Sequence, residues 1–199
     1  MFPLHAPRST FHASSGFTII ETLVALVILV MAITVPLTLA EKGLASAEAA
    51  KEEITALFLA QEAMEYIKNR RDENAIASGE RTGQDWLHGL EDCFEEEGCG
   101  IDSTASEGAQ VFKCDAGNSD CLLERYKEDL PPGKKGIFGH PKNRKENGWM
   151  ATVFHRKVTI EKIEGEKEAK VVVAVRWDTK GLGGRNVTVK SNMLNWYHQ

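Results

Sequence analysis

The chain has no G-x-S-x-G elbow, no phosphate loop and no glycine-rich dinucleotide turn, because GLGG at 181–184 lies between two strand-like runs and reads as a hairpin turn. Its six histidines (His5, His12, His88, His140, His155 and His198) are scattered, and none forms an H-x₃-H or H-E-x-x-H pair. These absences leave no recognisable catalytic or histidine-based metal set, so neither an enzymatic activity nor a cofactor is expected. An excess of positive charge is also missing. The 29 acidic residues outnumber the 24 basic ones, for a net charge of −5, which predicts no general attraction to nucleic acid or to an anionic membrane. No internal repeat is visible, and 199 residues with 42% hydrophobic content are enough for one core but hardly two.

Charge is absent above all from FTIIETLVALVILVMAITVPLTLA, residues 17–40, where Glu21 is the single ionisable side chain. Twenty-four residues at 1.5 Å each are long enough to span a bilayer as a helix. The preceding MFPLHAPRSTFHASSG carries only Arg8 as a permanent cation. An ordinary secretory signal would be basic, then apolar, then cut at a small-x-small site, for which Ala40 and Ala45 would serve; Glu21 is the residue such a signal should not contain.

Beyond the apolar run the helical period continues, with Ile54, Leu57, Phe58, Gln61, Met64 and Ile67 predicted on one face and charge on the other. Pro36 and Gly43 predict a kink or a local break. A continuous helix from Phe17 to Arg71 would be roughly 80 Å long, too long for one compact core, so its first half is expected to meet a membrane or partner helices. Residues 73–148 lose all periodicity and read as a loop-rich stretch with at most short elements. Alternation then returns. Phe154, Val158 and Ile160, then Val171, Val173, Val175 and Trp177, then Val187, Val189 and Met193 define three apolar strand sides, with turns at 164–167 and 181–184. The expected fold class is therefore α+β: a long N-terminal helix, its first half transmembrane, packed on a C-terminal antiparallel β-meander of residues 149–199.

The four cysteines, Cys93, Cys99, Cys114 and Cys121, are even in number and fall in one short stretch. Two disulfides in any of three connectivities fit this spacing, sequence order favouring the local pairs. Zinc is the rival reading, although gaps of five and six residues are wider than the usual C-x₂₋₄-C knuckle. Asp115, Asn118 and Asp120 offer oxygen ligands for calcium or, more simply, turn-forming side chains. Lys134, Lys135, Lys142, Arg144 and Lys145 would suit nucleic-acid phosphates, but no aromatics are interleaved with them, and a solvated loop explains them as well. Trp149, Trp177 and Trp196 read as core or sheet anchors.

One motif points further. GFTIIETLVALVILV resembles the N-terminal motif of type IV pilins and of the pseudopilins of type II secretion and DNA-uptake machines: glycine, phenylalanine, then an acid four residues later at the head of an apolar helix. The resemblance is sharp over 16–40. Beyond it, the order of helix, loops and strands resembles minor pilins. It implies that residues 1–16 form a leader cut after Gly16 by a prepilin peptidase, that Phe17 becomes the N-methylated first residue, and that Glu21 serves in assembly. Ser15 stands where the family usually has a basic residue. The mature chain, 17–199, would then comprise a membrane or filament-core helix (17–40), an amphipathic helix (41–72), the cysteine region (73–148) and the sheet (149–199). The partners implied are other pilin subunits in a homo- or hetero-filament, the peptidase, an inner-membrane assembly platform and membrane lipid. The implied location is single-pass in the inner membrane before assembly and on an extracytoplasmic or surface filament afterwards. A tip adhesin or DNA-binding pilin is the alternative within the family, and only there would nucleic acid be a partner. A membrane-anchored enzyme or sensor is the alternative outside it.

Overall fold

Thr18 stands at the head of the first helix. Its hydroxyl accepts the Glu21 amide at 3.3 Å and its carbonyl accepts the Thr22 amide at 3.1 Å, which caps helix α1, Ile19–Glu80. The fold is a computed structural model, which describes residues 16–80, 85–104, 109–114, 121–127, 136–140, 148–163, 167–179 and 183–196. Two compact units divide the chain, Met1–Glu48 and Ala49–Gln199.

In the first unit every residue from Gly16 to Glu48 is exposed, and the exposed set includes Phe17, Ile19, Leu26, Ile28, Ile33 and Leu37. Thr22, Thr34 and Thr38 turn their hydroxyls back onto the carbonyls of Ile19, Val30 and Val35, so their polar atoms ask nothing of the surroundings. This helix is long and apolar enough to cross a membrane. Pro36 and Gly43 do not end it, contrary to the break that their presence predicts: the helix is continuous through both, losing at Pro36 one backbone donor.

The second unit is one helix segment against one antiparallel sheet. Strands β5 (Trp149–Ile163), β6 (Glu168–Thr179) and β7 (Gly183–Leu194) form the predicted meander. The region expected to be loops adds four short strands to the same sheet: β1 (Cys99–Asp102), β2 (Gln110–Lys113), β3 (Leu122–Tyr126) and β4 (Phe138–Gly139). The long β5 makes this possible. One edge of β5 pairs with β6, while the other edge is divided between β3, along Trp149 to His155, and β1, at Val158. Strands of five residues or fewer are too short to stand out from a sequence rich in turn formers, which hides them until the partner strand is known.

The helix face that meets the sheet differs from the predicted one. Met64 and Ile67 are buried as expected, but Ile54, Leu57 and Phe58 are 56%, 41% and 64% exposed, and Gln61 is exposed too. The buried stripe is Ala56, Leu59, Ala60, Ala63, Met64 and Ile67, which joins Val158, Ile160, Val171, Val173, Val175 and Trp177 in one core. Three alanines keep that face slim and let the helix backbone approach the sheet closely. A reading weighted by side-chain size rotates the face toward the larger residues.

After α1 the chain returns along the helix. Asn74 donates from Nδ2 to the carbonyls of Trp86 (3.2 Å) and His88 (2.8 Å), seating Trp86, Leu87 and Leu90 in the core. A disulfide joins Cys93, in a short 3₁₀ turn, to Cys99 at the start of β1, and another joins Cys114 to Cys121 between β2 and β3.

Candidate functional site

The segment Gly16–Glu21 carries the sequence-predicted processing and assembly residues. Thr18 and Glu21 stand three apart as N-cap and third helical residue, the T-x-x-E arrangement of a capping box. That pattern is legible in the sequence, though Glu21 stands out there first as a charge in an apolar run. Glu21 thus sits where a carboxylate complements the positive end of the helix dipole. Among the described residues its side chain has no ion-pair or hydrogen-bond partner. Phe17 is 79% exposed, and a methyl group added at Gly16 would meet nothing within 4 Å, so no packing among the described residues requires glycine there. The first fifteen residues, Arg8 included, lie outside the described residues.

All four cysteines are consumed by the two disulfides, which leaves no thiolate for zinc. Among the described residues no group of three or more histidines, cysteines or carboxylates is placed to hold a metal ion. The suggested calcium ligands Asp115, Asn118 and Asp120, and the basic residues Lys134, Lys135, Lys142, Arg144 and Lys145, lie outside the described residues. Of the tryptophans, Trp177 is a core anchor, and Trp149 packs edge-on against Tyr126 at 5.2 Å. Trp196, expected as a core or sheet anchor, is half exposed and lies two residues past the end of β7, so it is not in the core.

The most unusual group inside the second unit went unpredicted. Arg156 occupies the core side of β5 between Phe154 and Val158 and is 1% exposed. Its Nη1 donates to the Leu59 carbonyl and to Glu62 Oε2, both at 3.0 Å, and its Nη2 donates to the Ile101 carbonyl at 2.7 Å. Glu62 also accepts a hydrogen bond from Ser103. One guanidinium therefore ties α1, β1 and β5 together. Burial pulls its pKa below the usual arginine range, and Glu62 acts against that pull.

Beside it stands His140, just after β4, with its ring edge-on to Phe112 at 4.9 Å and its Nε2 buried without a hydrogen-bond partner. Burial, then the neighbouring Arg156 charge, lower its pKa to about 4, against Asp102 and a Leu122 backbone hydrogen bond that favour the charged form. Asp102 is buried and accepts from the Thr104 amide (2.9 Å) and hydroxyl (2.6 Å). With the Ser103 and Thr104 hydroxyls bound to Glu62 and Asp102, the arrangement forms a polar clamp around Arg156. Its sequence signal is a cation in register with core residues along a strand, easily lost when only apolar positions are tracked.

Comparison of the chain with protein-family models, with curated proteins and with solved structures finds no match.

Proposed function

We propose that this chain is a structural subunit, a minor pilin or pseudopilin, of a type IV pilus or a related secretion or DNA-uptake filament. The observation that carries the reading is the placement of Glu21: the single acid between Ile19 and Ala40, in the first turn of a helix whose apolar side chains are exposed along that stretch, shortly after Gly16 and Phe17. Holding an ionised carboxylate in hydrocarbon costs several kcal/mol unless a cation meets it. Cleavage after Gly16 creates such a cation, the α-amine of Phe17, one helical turn from Glu21 in the same chain and available to the Glu21 of a neighbour offset along a filament. The exposed apolar surface is covered by lipid before assembly and by the corresponding helices of other subunits afterwards. The second unit is the head that such a filament displays.

Mass spectrometry of the chain recovered from cells that make the filament tests this. The expected mature protein begins with N-methylated Phe17. A chain that retains residues 1–16, or one cut after Ala40 or Ala45, overturns the reading.

A further inference from the structure

The sheet ends at β7 in a long edge with neither bulge nor proline. Twelve consecutive partners, from Glu168↔Leu194 to Thr179↔Gly183, join β7 to β6 without a bulge, and among the described residues no strand pairs with its other side. It holds no proline. Native sheets ordinarily shorten, bend or cover such an edge. The other edges offer much less, since β2 has four residues and β4 two.

The side chains of β7 specify what would fit. Val187 and Val189 share the core face with their partners Val175 and Val173; those two are fully buried, whereas Val187 and Val189 are only partly so. The core therefore thins out at this edge, and an added strand would place its inward residues beside the two valines. β7 carries Arg185 and Lys190 and no acid, in a chain whose net charge is −5. Lys190 is the exposed cation that discourages a strand from adding here. An acid opposite it converts that deterrent into a contact. Pairing β7 with β7 of a second copy would bring the exposed Lys190 of each copy to one seam with no acid of β7 to meet it, Arg185 being held by Glu53 at 3.9 Å, so a copy of this chain is a poor occupant.

We infer that the free edge of β7 is a strand-addition site for an extended segment of another polypeptide, with alternate apolar residues beside Val187 and Val189 and an acidic residue opposite Lys190. The affinity comes from main-chain hydrogen bonds and the specificity from those alternate side chains. This inference stands on the sheet alone and does not need the filament reading.

The test uses the full-length chain in detergent micelles and a synthetic nine-residue peptide of alternating valine and threonine with one outward threonine replaced by glutamate. A control peptide carries lysine at that place. Binding of the acidic peptide, followed by fluorescence anisotropy, should slow amide hydrogen exchange across 183–194, and the lysine control should bind at least tenfold more weakly. Lys190→Glu, at an exposed position, should reverse the preference between the two peptides. Unchanged exchange in β7 at millimolar acidic peptide overturns the site. Equal binding of the two peptides overturns the acidic partner. Amides of β7 already protected in a self-associated chain, with no peptide present, would show a second copy to be the occupant and overturn the assignment to another polypeptide.

Discussion

Arg156 Nη1 lies 3.0 Å from Glu62 Oε2, in an ion pair whose arginine is 1% exposed and whose glutamate is 38% exposed. The two partners are therefore unequal. Arg156→Ala strands the Leu59 and Ile101 carbonyls in the core and opens a cavity, with an expected loss of about 3–5 kcal/mol. Glu62→Ala leaves Arg156 its two carbonyls, and the space vacated by the 38% exposed Glu62 side chain admits water to Nη1, so it should cost about 1–2 kcal/mol. Denaturant unfolding of the full chain in micelles, followed by tryptophan fluorescence, measures both. An Arg156→Ala loss no larger than that of Glu62→Ala would show that the guanidinium does not hold helix and sheet together.

His140 gives the second unit an acid-sensitive window. Its pKa falls from 6.5 to about 4 on folding, because burial and the Arg156 charge disfavour the imidazolium. Such a group contributes stability that is fully present above the unfolded value of 6.5 and is lost as pH falls toward the folded value of about 4. The loss by pH 4 is on the order of 3 kcal/mol. His140→Gln should flatten the stability profile between these limits. The depressed carboxyls of Asp85 and Glu91, each countering its own burial through hydrogen bonds and nearby charge, lose their contribution only at more acid pH, below their ordinary values of 3.8 and 4.5. An equally steep decline in the variant from pH 6.5 to 4.5 would assign the effect to other groups.

Gly98 is fixed by backbone geometry. Its φ is +69°, and an added Cβ would lie 2.5 Å from the Val158 carbonyl oxygen. Gly98→Ala should therefore lose at least about 2 kcal/mol, from left-handed strain plus the displacement of β1 from β5. Gly136 has φ +83° but open space around its Cβ position, so Gly136→Ala should lose only the strain, about 1–2 kcal/mol. Thermal unfolding of the two variants side by side separates clash from conformation; equal shifts would mean that the contact with Val158 relaxes freely.

At Glu21 charge and polarity can be parted by two substitutions, and neither touches the cap, which is made by the Glu21 backbone amide to Thr18. Glu21→Gln keeps a polar side chain that suits the third helical position and removes the charge. Glu21→Ala removes both charge and polarity. On the filament reading each variant should enter the membrane at least as well as the parent, since a charge has left the apolar segment. Each should be severely depleted from sheared filaments, as read by immunoblot against the membrane fraction. Filament incorporation of Glu21→Gln at parental levels would mean that the carboxylate charge is not what assembly requires.

The apolar segment, the strand faces of β5 and β6 and the candidate assembly residues were legible in the chain itself, because each is a one-dimensional pattern. Residues 17–40 exclude charge apart from Glu21, Val171 to Trp177 alternate, and Thr18 with Glu21 marks a helix start by local chemistry. The buried face of α1 was decided elsewhere. Close approach to the sheet selects Ala56, Ala60 and Ala63, and it leaves Ile54 and Phe58 in water. Nothing within the helix records that distance.

β1 to β4 likewise become strands because β5 is long enough to offer an edge to two partners, a fact about a segment far along the chain. Arg156 is core only because the carbonyls of Leu59 and Ile101 and the carboxylate of Glu62 converge on it from 97, 55 and 94 residues away. Sequence fixes what repeats along a local period. Burial of a charge, the choice of a slim helix face and the recruitment of short strands depend on which distant atoms arrive beside them, and only the tertiary structure supplies those.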